Sequence, residues 1–282
     1  MFSLDNYELL NIDILGEKLE EIHILWQFDA SNDSRPCIRS LNIFAPKLKK
    51  IKWCGTFLDH QHLGNSMCLE EARIYLFPDF NELIENPLEV LCSIQMVKAL
   101  ELNEETTKAL FLEGATPLPF DNVHDLTLHV RSVTDDFIPA MVNLLRGITT
   151  LNTLRITSVV YNEAIEEAYD GFEEEDNETE QENSETTEED CTNEEGDNAP
   201  IFDVEYWKSQ NLNFTCELKE VKLDIMESNS NELDLAKYIL ERAQKLGKMV
   251  ILHSPQHPDF LELVRTSKMI SGATVVLEEV IL

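Results

Sequence analysis

Two cysteines and two histidines between residues 54 and 68 carry side chains that can bind a metal ion. Cys54, His60, His62 and Cys68 follow the spacing C-x5-H-x-H-x5-C. Thiolates and imidazoles are the usual ligands of zinc, but this spacing differs from the C-x2–4-C and H-x3–5-H patterns of structural zinc sites. The two histidines are expected in a polar loop between two strands, where solvated histidines are common. The sequence therefore predicts no metal site.

Motifs for nucleophilic or phosphate chemistry are missing from the sequence. It contains no G-x-S-x-G, no P-loop and no G-x-G-x-x-G pattern. The nine glycines form no cluster that could surround a phosphate group. Carboxylates are abundant, so their proximity along the chain does not indicate an acid–base pair. We therefore expect a protein that is not an enzyme and that uses no cofactor.

Three basic residues, Lys50, Lys52 and Arg73, are expected to lie close together. They lie at outward positions in two consecutive units of a repeated pattern, so adjacent strands would bring them into one small basic spot. One hypothesis is that this spot binds an acidic segment of a partner protein. The alternative is ordinary solvated charge on exposed strand positions.

The repeated pattern is L-x-x-L-x-L, with an apolar residue at each L position. It begins at residues 19, 48, 69, 97, 123 and 151, in steps of 21 to 29 residues. Steps of this length are typical of leucine-rich repeats. The predicted fold is therefore α/β, a leucine-rich-repeat solenoid. Its parallel strands form the concave face, and helices and short strands form the back.

Alternation along these strands predicts which side chains point away from the core. The apolar residues of each unit turn inward, and the residues between them form one outward surface. This surface is the predicted binding site for an unknown protein partner. Its expected residues are Glu21, His23, Lys50, Lys52, Glu71, Arg73, Ala99, Glu101, Asp125, Thr127, Thr153, Arg155, Glu220 and Lys222.

Other segments are expected on the back of the solenoid. Residues 9–14 and 38–44 stand only ten residues before a repeat strand, so they are predicted to be back-side strands. Residues 80–96 are a helical candidate that Pro87 should break or restart. A second helix should begin after Asp135, because an early proline follows the acidic residues, and should end near Gly147.

The pattern returns in the C-terminal region, beginning at residues 218, 246 and 272. The intervening segments predict two helices, giving β-α-β-α-β in the same rhythm and continuing the same sheet. Ser230 or Asn231 can cap the first helix, and Gly247 can close it. The second helix should begin near Pro258.

An acidic insert separates the two repetitive regions. Residues 163–197 contain 18 Asp and Glu and no Lys or Arg. This composition predicts a disordered, solvating loop within one repeat. An alternative is a regulatory role, because Thr186, Thr187 and Thr192 each precede an acid by three residues, as acid-directed kinases require. The loop could also fold back on the basic spot and compete with a partner. The predicted organisation is repeats over 1–160, the acidic insert over 161–203 and a C-terminal domain over 204–282.

The net charge of −32 over 282 residues argues against several partner classes. Phosphate backbones and anionic membranes would repel such a chain, so we expect no nucleic-acid or membrane partner. Residues 1–16 lack basic side chains, unlike a signal peptide. The six cysteines form no C-x-x-C pair and are expected to be reduced. The predicted location is therefore intracellular, cytoplasmic or nuclear.

Two stretches resemble a known family. Residues 43–51 resemble the apolar-x-Ala-Pro-x-Leu-x-x-Leu line of plant F-box/leucine-rich-repeat proteins. The C-terminal region resembles their FBD domain over about residues 205–282. The matching residues there are Trp207, Cys216–Val221, Glu232–Glu241 and Leu246–Ile251.

This resemblance implies the substrate-recognition part of an SCF-type ubiquitin ligase adaptor. Family members usually begin with an F-box that binds a Skp-type linker, which in turn binds a cullin. The chain lacks this module before its first repeat, so it is expected to bind the linker and cullin only if an F-box lies upstream. The alternative is a truncated paralogue without ligase function, inert or competing for the same partners.

Overall fold

Nine parallel strands form the main sheet of the protein. The computed structural model describes residues 10–25, 38–55, 60–63, 68–76, 87–111, 119–157, 202–225, 230–253 and 259–279. With strands numbered in chain order, the main sheet contains β2 (Glu21–Leu25), β4 (Lys50–Gly55), β6 (Glu71–Leu76), β7 (Ala99–Asn103), β8 (Asp125–His129), β9 (Thr153–Thr157), β10 (Glu220–Ile225), β11 (Lys248–His253) and β12 (Thr274–Glu279). Each of these strands pairs with the next strand of the same sheet in chain order.

The strand register follows the sequence repeat. The second apolar position of each unit pairs with the same position of the next, beginning with Ile22, Ile51 and Ala72 and ending with Met249 and Val275. These inward side chains are mostly buried, because alternate residues of a strand point to opposite faces. The predicted α/β class and the predicted parallel pairing are therefore confirmed.

A smaller sheet lies apart from the main one. It consists of β1 (Leu10–Leu15), β3 (Ile38–Phe44) and β5 (His60–His62), again all parallel. The first two strands are the segments predicted to stay out of the main sheet. The third is a correction, because His60 and His62 were expected in a loop. They are instead strand residues whose register partners are Ser40 and Asn42.

Six helices lie between the strands in the described ranges. They are α1 (Pro87–Ile94), α2 (Glu104–Leu110), α3 (Ile138–Gly147), α4 (Val204–Ser209), α5 (Ser230–Arg242) and α6 (Asp259–Ile270), and a 3₁₀ turn spans Asn213–Cys216. Helix α1 begins at Pro87, the residue expected to break or restart the helical candidate. Helix α3 has its proline in the first turn and ends at Gly147, as predicted.

The predicted end of α5 is wrong by five residues. The helix stops at Arg242 rather than at Gly247. Ala243 and Leu246 are still buried, which explains why the apolar periodicity seemed to continue. Gly247 instead begins the strand pairing, since its backbone N donates a 2.9 Å hydrogen bond to the carbonyl of Lys219.

The C-terminal region continues the same sheet, as predicted. Strands β9 and β10 pair directly, with Thr153 beside Glu220 and Arg155 beside Lys222. The sheet therefore continues from the strand before the acidic insert to the strand after it. Most of the insert lies outside the described residues. A continuous set of buried apolar side chains runs from Ile24 to Leu263 beneath the strands.

A buried polar contact also joins the two regions. Glu232, in the first turn of α5, is only 4% exposed. It accepts hydrogen bonds from the Ser132 hydroxyl (2.9 Å) and the Val133 backbone N (2.7 Å). Asn231 donates to the Val133 carbonyl at 2.9 Å. Asn231, a predicted cap, therefore connects α5 to the segment that precedes α3.

Candidate functional site

The residues predicted to point outward lie together on one face of the main sheet, called here the outward face. They form two rows across the strands, because equivalent residues are register partners. The first row is Glu21, Lys50, Glu71, Ala99, Asp125, Thr153 and Glu220. The second row is His23, Lys52, Arg73, Glu101, Thr127, Arg155 and Lys222. All of these residues are exposed or half-buried.

The predicted basic spot has mixed charge in the structure. Lys50 Nζ lies 3.2 Å from a carboxylate oxygen of Glu71. Arg73 Nε lies 2.9 Å from Glu71 and 3.3 Å from Glu101. Lys52 is the register partner of Arg73. Two of the three cations are thus already paired with carboxylates on the outward face.

A shallow groove of about 370 Å³ opens in the middle of the outward face. Ala99 lines it, and its methyl group is shorter than the side chains beside it in its row. The other lining residues are Glu71, Arg73, Leu100, Glu101, Asp125, Thr127 and Arg155. Apart from Leu100, these are residues that the alternation pattern predicted, and β6 to β9 bring them together.

A hydrogen-bond chain crosses four strands at one end of the groove. Glu101 accepts hydrogen bonds from the Tyr75 hydroxyl and from His129 Nε2. The other ring nitrogen of His129 lies 2.9 Å from the Thr157 hydroxyl. The rings of Tyr75 and His129 meet edge to face with centroids 5.4 Å apart. Side chains from β6, β7, β8 and β9 thus hold one another in place.

The ionised form of Glu101 is favoured by these contacts. Burial raises the pKa of this carboxyl, but the hydrogen bonds from His129 and Tyr75 and the charge of Arg73 outweigh it. The pKa of Glu101 therefore lies below its ordinary value. Burial and charge pairing act in opposite directions here, and the pairing is stronger.

Sequence reasoning missed Tyr75, His129 and Thr157. The repeat template ends at the residue before each of these positions, so they were not assigned to a face. Continuing the alternation by one more step from Arg73, Thr127 and Arg155 would have found all three. Asn103 also lies at the strand end, where its side chain accepts a hydrogen bond from the Thr106 backbone N and caps α2, a helix that was not predicted.

Ion pairs also run along the rim where the strands begin. Lys49 Nζ lies 2.8 Å from Glu20, and Lys98 Nζ lies 2.8 Å from Glu70. These pairs join neighbouring strands, and the backbone N of each lysine also donates to the carbonyl of the preceding rim residue. Such exposed pairs fix the alignment of strands more than they stabilise the fold.

The sequence offered Cys54, His60, His62 and Cys68 as candidate metal ligands. No group of three or more His, Cys, Asp or Glu suited to a metal ion occurs among the described residues. Cys54 is buried and Cys68 is exposed, and both are free thiols. Thr186, Thr187 and Thr192, the predicted phosphorylation sites, lie outside the described residues.

One comparison with known proteins identifies part of the chain. A family model described as FBD matches residues 215–251. The FBD prediction is confirmed. The matched segment includes β10 and α5 and most of β11, and its register continues that of the preceding repeats. No curated protein and no solved structure matches the chain. Of the helices in the described ranges, none is long and apolar enough to cross a membrane.

Proposed function

We propose that the protein is a leucine-rich-repeat solenoid whose outward face binds a protein partner. The observation that carries the proposal is the unbroken register of nine parallel strands, which presents two rows of polar residues and one groove. Repeat proteins commonly bind partners with such extended strand faces. The partner-binding residues are the ones predicted from alternation, together with Tyr75, His129 and Thr157.

The role suggested by the FBD match is substrate recognition in a ubiquitin ligase. FBD domains occur in F-box-associated proteins, and residues 215–251 match that family. We propose that the chain forms the substrate-recognition part of an SCF-type adaptor, with a Skp-type linker and a cullin as further partners only if an F-box lies upstream. The alternative is a paralogue that lacks ligase function and competes for the same protein partners.

The proposed function is non-enzymatic. Glu101, a half-buried carboxylate on the groove, has its pKa held below the ordinary value. A general base works best with a pKa near the operating pH, so the shift has the wrong direction for that role. Pairing with Arg73, Tyr75 and His129 instead suits a rigid recognition surface.

Affinity capture with matched variants tests the scaffold role. Thr127→Arg places a long cation in the middle of the groove, whereas Gln244→Arg makes the same change at an exposed turn outside the outward face. We expect the first variant to lose the partners that the wild-type chain captures and the second to retain them. Equal capture by both variants would contradict a binding role for the outward face.

The same captured material separates the two ligase hypotheses. Recovery of a Skp-type linker and a cullin together with the substrate supports an adaptor. Recovery of substrate without the linker supports the competing paralogue. Each protein is identified by mass spectrometry, with the Gln244→Arg chain as the matched control.

A further inference from the structure

Four basic residues surround the join between the repeats and the FBD segment. Arg155 on β9 and Lys222 on β10 are direct register partners. Lys219 immediately precedes β10, and Lys248 on β11 is the register partner of Glu220. Arg155 and Lys222 are half-buried, and Lys219 and Lys248 are exposed. We call Arg155, Lys219, Lys222 and Lys248 the β9–β11 basic patch.

Positive charge in this patch that is unpaired within the described ranges is unexpected in a chain that is so rich in acidic residues. The chain has 54 acidic against 22 basic residues, so carboxylates are available for most cations. Lys49, Lys50 and Lys98 each pair with a carboxylate of a neighbouring strand. By contrast, the four patch residues form no ion pair within the described part of the chain.

Local packing gives no reason for this arrangement. Neighbouring strands lie about 4.8 Å apart, so the Arg155 and Lys222 side chains begin at that separation. Like charges directly opposite one another across strands are destabilising. The nearby carboxylates are Glu220 and Asp224 on β10 and Asp125, which lines the groove with Arg155. They are fewer than the four cations, so the patch keeps a net positive charge.

Resting on the proposed function, we infer that the β9–β11 basic patch binds an acidic segment of the partner protein. A carboxylate can accept hydrogen bonds from the Arg155 guanidinium and the Lys222 ammonium together, and such charge-assisted bonds are stronger than neutral ones. Arg155 also lines the groove. The other side of the groove carries the carboxylates Glu101 and Asp125, which would repel an acidic segment, so the segment stays over β9–β11. The acidic-partner site therefore lies at β9–β11, and Lys50 and Arg73 at the predicted basic spot are already paired.

Fluorescence anisotropy with a short labelled peptide of alternating Glu and Ser tests this inference on the full chain. A Gln–Ser peptide of equal length is the uncharged control. We expect the Glu–Ser peptide to bind and the Gln–Ser peptide not to bind. The double variant Arg155→Gln with Lys222→Gln should weaken binding by about tenfold, from the loss of two charged contacts.

The matched control is Lys49→Gln with Lys98→Gln, which removes two cations that already have carboxylate partners. It should leave peptide binding unchanged. The inference is overturned if both double variants weaken binding equally, if both peptides bind equally, or if a single-stranded oligonucleotide binds more tightly than the Glu–Ser peptide. Circular dichroism of each variant separates loss of binding from loss of fold.

A chain lacking residues 163–197 gives a further test. The deletion removes the acidic segment between β9 and β10, which has the same sign of charge as the Glu–Ser peptide. The Glu–Ser peptide should bind this chain at least as tightly as the full chain, and weaker binding would count against the patch. If no peptide binds while Thr127→Arg still abolishes partner capture, the charge assignment is wrong and the scaffold function stands. If Thr127→Arg has no effect on partner capture while the peptide binds as expected, the charge assignment stands and the scaffold function of the outward face is wrong.

Discussion

Replacing Glu101 with glutamine removes one negative charge from the hydrogen-bond chain across the outward face and preserves the side-chain shape. Glu101 is the central acceptor, bonded to Tyr75 and His129 and ion-paired with Arg73 at 3.3 Å. Its side chain is 21% exposed, so solvent replaces these partners only in part. We therefore expect Glu101→Gln to destabilise the fold measurably.

The magnitude follows from the number of charge-assisted bonds. A hydrogen bond to a charged group contributes about 1.5–3 kcal/mol, and a neutral one about 0.5–1.5 kcal/mol. Glutamine keeps a neutral acceptor, and the variant avoids the cost of burying a carboxylate. The expected loss is therefore about 1–2 kcal/mol in the free energy of unfolding, measured by urea titration at neutral pH.

The loss should depend on pH. Since the folded-state pKa of Glu101 is lowered, its charge stabilises the fold above the unfolded pKa of about 4.3. This contribution disappears as the pH falls through the lower folded pKa. The stability difference between wild type and Glu101→Gln should therefore be full at pH 7 and should shrink as the pH is lowered below about 4.

Glu70→Gln is the matched control, because Glu70 pairs with Lys98 on the exposed rim. It should have no measurable effect on stability. A double-mutant cycle that combines Tyr75→Phe with Glu101→Gln should show coupling, because the first change removes and the second weakens the same hydrogen bond. Equal effects of the two glutamine variants, or a difference that does not change with pH, would refute the reasoning.

Three further predictions concern the fold. Glu232→Ala should lower the free energy of unfolding by about 2–3 kcal/mol in urea titration, because Ser132 loses a buried acceptor. An effect below about 0.5 kcal/mol would count against the buried contact. Leu126→Ala should lower the free energy of unfolding by about 2–5 kcal/mol, because Leu126 is buried. Leu15→Ala should leave it almost unchanged, since Leu15 is 81% exposed. Similar losses in the two variants would contradict the assignment of buried and exposed faces. Deleting residues 163–197 should preserve a single unfolding transition. It should also raise stability by about 1.2 kcal/mol, because it shortens the connection between β9 and α4 roughly fourfold. Two separate transitions would disprove a continuous sheet.

The strands of the main sheet could be predicted from the sequence because one physical rule repeats in each unit. A buried apolar pair two residues apart, as at Leu126 and Leu128, both forms the core and fixes the register. A one-residue slip would turn every such pair toward solvent. The same rule assigned the outward residues, including those that line the groove.

Side-chain partners on the outward face could not be predicted in this way. Alternation places Lys50, Arg73 and Glu71 on one surface but does not say which charges pair. It therefore suggested a basic spot where the structure has ion pairs. The end of α5 was missed because Ala243 and Leu246 remain buried beyond it, so apolar periodicity continued after the helix stopped.

Site-specific photo-crosslinking tests the central claim most directly. A photoreactive residue is placed at Thr127, in the groove, and in a second chain at Gln244, an exposed turn outside the outward face. If the outward face binds the protein partner, the Thr127 chain should crosslink to one dominant protein, and the Gln244 chain should not. A partner that crosslinks equally from both positions, or only from Gln244, would contradict a binding role for this face.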